Sequence, residues 1–117
     1  MWAGGLVFYK RIVTTPHAQL KPWIESLKTL QAMKPKVVVP SHGPLSWGTE
    51  AIDQTLDYLS WLDKRLTDAA NMGEEMNDVM KKGAPERFRN FAAYPAEFYR
   101  NVTNLYPLYE KQALGGF

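Results

Sequence analysis

Pro35-Lys36-Val37-Val38-Val39-Pro40-Ser41-His42-Gly43-Pro44 is the stretch whose reading decides the fold of this chain. Three consecutive β-branched residues suit a short strand covered on both faces. Pro40 has no N–H to give to a ladder, so pairing is expected to stop there. Gly43 lets the backbone fold back beside the preceding ring, and Pro44 stiffens the exit from the turn. In open α/β sheets, ligands and metals gather at the carboxyl ends of strands. His42 falls at such an end, which makes it the candidate site residue.

Working outward, Leu6 to Tyr9 read as a second short apolar strand that begins almost at Met1. An uncovered edge there invites pairing with a second copy of the chain. After a loop from Lys10 to Gln19, Leu20, Trp23, Ile24, Leu27, Leu30 and Met33 recur at intervals of three and four, the mark of an amphipathic helix. Pro22 suits its first turn, and the helix is expected to end before Pro35. Strand, helix, strand makes a βαβ unit, so the two strands are expected to be parallel with a right-handed crossover. A further helix should start at Thr49 as N-cap and bury Ile52, Leu56, Leu59, Leu62, Leu66 and Ala69, with Asn71 and Gly73 as its stop.

Beyond Gly73 the pattern is helical only. Glu74 and Glu75 precede Met76, Val79 and Met80, and Lys81 and Lys82 precede Gly83, an order of charges that a helix dipole favours. A charged loop from Ala84 to Asn90 is expected next. A last helix, from about Pro95 to Gln112, carries Phe98, Val102, Leu105 and Tyr109, with Pro107 expected to kink or weaken it. That aromatic stripe fits either core packing on the preceding helices or a docking surface. Asn101-Val102-Thr103 matches the glycosylation acceptor pattern but lies within the helix.

Composition sets limits. The chain has 117 residues, 45% of them hydrophobic, within the range of one domain with a modest core. Fourteen basic against 12 acidic residues leave a formal charge of +2, so there is no electrostatic case for nucleic acid. No apolar run approaches the roughly twenty residues needed to cross a bilayer, so no membrane partner is expected. The N-terminus lacks the leading positive charge of a secretory signal. Cytoplasmic and periplasmic locations both stay open, with any signal segment upstream of Met1. No cysteine is present, so there is no disulfide framework.

The segments Gly4-Gly5-Leu6-Val7-Phe8, Trp23-Ile24-Glu25-Ser26-Leu27 and Pro35 to Pro44 together resemble the C-terminal half of a metallo-β-lactamase-fold hydrolase. The nearest branch is the zinc hydrolases associated with quinoproteins and with sulfur oxidation. The resemblance covers roughly the first half of the chain. It implies an α/β fold, the C-terminal part of an αββα sandwich over residues 1–72, followed by a helical extension over residues 73–117. It also implies one or two zinc ions that polarise a carbonyl and activate water, acting on a small-molecule substrate. Members bind metal through an early His-x-His-x-Asp-His element, a middle histidine, an aspartate after a glycine at a strand end, and a last histidine before a glycine. His42 matches the last of these. The aspartate position falls on Gly5, and no His-x-His-x-Asp-His element occurs in the sequence.

Donor counting agrees. A catalytic zinc takes about three protein ligands plus water, and this chain offers two histidines and no cysteine. His17 reads as a loop residue without a partner at a metal-favoured spacing, and Asp53 and Asp57 have the i, i+4 spacing of an ordinary polar helix face. Zinc is therefore expected only when a partner, the N-terminal half of the domain, supplies the remaining ligands. The expectation is a C-terminal fragment of a zinc-dependent hydrolase that contributes one ligand. A metal-poor homologue, suggested by Gly5, and a helical protein-interaction module are the alternatives.

Overall fold

Leu59, Leu62, Leu66 and Ala69 form an apolar line at helical spacing, and all four are fully buried on the longest helix of the molecule. The structure, a computed structural model, describes residues 7–10, 12, 20–40 and 45–115. Among them, α1 spans Leu20–Ala32, β1 Val37–Val38, β2 Ser46–Trp47, α2 Glu50–Asn71, α3 Met76–Lys82, α4 Glu86–Arg89 and α5 Ala96–Ala113. The central α2 is covered by α1 and by α5, and α3 packs on α5. From α1, Leu20, Trp23, Ile24 and Leu27 point inward; from α5, Phe98, Val102, Leu105 and Tyr106 do. One apolar core contains residues from before and after residue 72. Burial of such side chains, at roughly 1.5–3 kcal/mol for each large one, is what holds three helices together.

The βαβ unit and the αββα sandwich expected from the sequence are not formed. Val37–Val38 pairs with Ser46–Trp47, antiparallel, with Val37 opposite Trp47 and Val38 opposite Ser46. Among the described residues the sheet holds β1 and β2 alone, and in the segment before α1 Phe8 occupies an isolated bridging position. The physical reason lies in coverage. Val38 is fully buried while Val39 is 40% exposed, so the valine run is one-sided, as in a hairpin arm, and not covered on both faces as a central parallel strand requires. The next segment along the chain closes on it at lower entropic cost than a crossover partner.

The backbone around Phe8 is held by side chains of α2. Phe8 N–H donates to Thr55 Oγ1 (3.0 Å), whose hydroxyl lies 2.8 Å from the Phe8 carbonyl and 2.9 Å from that of Ala51. Lys10 N–H donates to Gln54 Oε1 (3.1 Å). Further on, Ala92 N–H donates to the Lys10 carbonyl and accepts, through its own carbonyl, the N–H of Ile12. Helix side chains and the Ala92 backbone thus satisfy polar groups of this segment.

The charged stretch from Ala84 to Asn90, expected to be a loop, contains α4. Phe88 on α4 is buried and meets Tyr58 edge-on at 5.3 Å, with Trp61 and Phe91 each at 5.8 Å. Trp61 also touches Phe98 of α5 at 5.8 Å. One buried aromatic among charged neighbours is enough to dock a single turn. Gly83 ends α3 at φ 69°, and a Cβ there would sit 2.8 Å from the Tyr94 hydroxyl, so the position needs glycine.

Candidate functional site

His42, the residue the sequence singles out, lies outside the described residues, as do Gly5 and His17. Described residues flank His42 on both sides. Val38 and Pro40 are buried ahead of His42, and Ser46 is buried behind it. The Lys36 carbonyl accepts the Gly48 N–H at 2.7 Å and closes the base of the hairpin. Ser46 Oγ accepts the N–H of Ala51 at 3.0 Å, which ties β2 to the first turn of α2. The inward face of the hairpin, Val38 and Ser46, is therefore anchored. Val39, Leu45 and Trp47 are exposed, Trp47 by 76%.

Among the described residues no group of three or more His, Cys, Asp or Glu side chains stands close enough to hold a metal ion. Asp53 and Asp57 are committed elsewhere: Asp53 accepts from Gln31 (2.7 Å) and Thr49 (3.0 Å), and Asp57 takes a two-bond clasp from Arg87 (2.9 and 3.1 Å). These donors do not enclose a zinc ion by themselves.

A second candidate is a cleft that sequence reasoning missed. It lies where the first turn of α1 and the last turns of α5 diverge over the middle of α2, with a volume of about 320 Å³. Leu20, Pro22, Leu105 and Leu108 supply apolar wall; Lys21, Asp63, Thr67, Tyr109 and Gln112 supply polar groups. An adjoining hollow of about 330 Å³ shares Lys21 and Asp63 and runs on along α1 to Lys28. Tyr109 donates its hydroxyl to Asp63 Oδ1 at 2.7 Å. Burial first, then that bond to a carboxylate, pushes the Tyr109 phenol far above its ordinary range, so it stays a donor. Thr67 turns its proton to the Asp63 carbonyl (2.7 Å). Lys21 has no ion-pair partner among the described residues. No motif marks this site, because it is assembled from three helices far apart in the sequence.

Two sequence features resolve into core. Of the aromatic residues on α5, Phe98 and Tyr106 are fully buried and Tyr109 partly so, while Tyr99 is 43% exposed. Asn101 is fully buried too and donates from Nδ2 to the Tyr58 hydroxyl at 2.8 Å. In this fold its amide is a core hydrogen-bonding group, inaccessible as a glycan acceptor. No family model matches this sequence, and no curated protein matches it.

Proposed function

We propose that the chain contributes His42 as a single metal ligand to a zinc-dependent hydrolase site whose other ligands come from outside this chain. The observation that carries this is the Val-Val-Val-Pro-Ser-His-Gly-Pro stretch. Support comes from the described residues that flank it: Val38, Pro40 and Ser46 are buried, and Ser46 is tied to α2 through the Ala51 N–H. The shortage of donors within the chain fits a ligand contributor and not a self-contained site.

The test compares His42→Ala with His17→Ala in the natural protein that carries this chain. His42→Ala is expected to lower bound zinc, measured by metal analysis after dialysis, while the far-UV spectrum is kept; His17→Ala is expected to leave zinc unchanged. Purified as the 117 residues alone, the protein is expected to retain far less than one zinc per chain. Stoichiometric zinc in the His42→Ala protein would overturn the assignment.

A further inference from the structure

We propose that the cleft between α1, α2 and α5 binds a small zwitterion with an apolar side chain, a free apolar α-amino acid, with its ammonium at Asp63 and its carboxylate at Lys21.

The charge pattern selects this ligand class. Lys21 and Asp63 line both hollows, and no salt bridge of 4 Å or less joins them. Among the described residues neither has an ion-pair partner, so each charge faces the cleft. A simple anion attracted by Lys21 meets the Asp63 carboxylate, and a simple cation attracted by Asp63 meets the Lys21 ammonium. A ligand bearing both charges satisfies both, while each single-charge analogue keeps one repulsion. The other charged pair on the rim, Lys28 with Glu25, is matched internally at 3.7 Å.

The site is also prepared for the ammonium end. Tyr109 holds Asp63 Oδ1, which fixes the carboxylate against α5 and leaves Oδ2 to accept from a ligand. Leu20, Leu105 and Leu108 give an apolar body somewhere to rest; Leu108 is 52% exposed at the rim. A cavity of about 320 Å³ sits at the small end of the range for ligand pockets, roughly 300–1,000 Å³.

The experiment is a heteronuclear NMR titration of the full chain with three probes: L-leucine, 4-methylpentanoate, which lacks the ammonium, and isoamylamine, which lacks the carboxylate. Leucine is expected to give saturable shifts at Leu20, Lys21, Asp63 and Tyr109, and each single-charge probe to bind about two- to fivefold more weakly, as expected for losing a partly exposed ion pair. Asp63→Asn keeps an acceptor for Tyr109 and removes the charge; it is expected to weaken leucine by a similar factor. Should that variant fail to fold, Lys21→Gln, on the exposed first turn of α1, carries the same expectation. Absence of saturable shifts at these residues, equal binding of the three probes, or unchanged leucine binding in the folded variants would overturn the proposal.

Discussion

Glu74 is the most heavily partnered carboxylate among the described residues. Arg65 grips both its oxygens (3.0 and 2.7 Å), and Lys82 reaches one of them at 3.1 Å. Its backbone carbonyl accepts the Tyr106 hydroxyl at 2.6 Å. One residue therefore ties α2, α3 and α5 together where the chain turns. The Arg65 bonds foremost, opposed by burial and aided by Lys82, hold the carboxyl well below its ordinary 4.5, at about 2. In the unfolded chain the same group titrates near its ordinary value. Its stabilisation is therefore complete above about pH 4.5 and fades as the pH falls toward 2. Glu74→Gln should cost about 1–2 kcal/mol at neutral pH, the size of a few charge-assisted hydrogen bonds at a partly exposed position. It should also flatten the decline of melting temperature between pH 4.5 and 2. Melts of both proteins across that window check this; curves that stay parallel would show that Glu74 is not the titrating group.

At the scale of elements, the start of α2 separates what was legible from what was not. Thr49 occupies the N-cap position, as the sequence suggests, but its side chain makes no capping bond and donates to Asp53 Oδ2 instead (3.0 Å). The orphan N–H of Ala51 goes to Ser46 Oγ, on β2. Ser46 is 1% exposed and Ala51 fully buried, so loss of that oxygen leaves an unmet donor in the core. Ser46→Ala is expected to destabilise by about 1–2 kcal/mol, and Thr49→Ala by much less, in denaturant titrations. Equal effects would return the cap to Thr49. The helices themselves were readable, because Leu59, Leu62 and Leu66 or Phe98, Val102 and Leu105 repeat at the helical period whatever they pack against. The pairing of β1 was not. Three valines look the same in a strand covered on both faces and in a hairpin arm covered on one, and only burial tells them apart. Phe88 was missed among its charged neighbours for a related reason: one aromatic gives no period. The cleft was invisible because Lys21, Asp63 and Tyr109 share no motif and meet only once three helices are packed.

At the scale of the whole molecule, the packing of α5 on α2 decides whether the chain has one folding unit or two. The sequence suggested a boundary near residue 72. In the structure, Phe98, Val102, Leu105 and Tyr106 are buried in one core with Leu59, Leu62 and Leu66. Hydrogen bonds cross the same boundary, from Asn101 to Tyr58 and from the Tyr109 hydroxyl to Asp63. Removing residues 73–117 would expose the apolar line of α2, and α1 with the hairpin offers too little surface to replace what α5 covers. Below about 70–80 residues a single core rarely supplies more than about 3–5 kcal/mol. The full chain is therefore expected to unfold in one transition, with far-UV and near-UV signals coincident. A 1–72 piece should retain some helix, lose its near-UV signal and bind a hydrophobic dye. A cooperative melt of that piece by both signals would instead place an autonomous unit before residue 73, and α5 would then be an appendage to the core and not part of it.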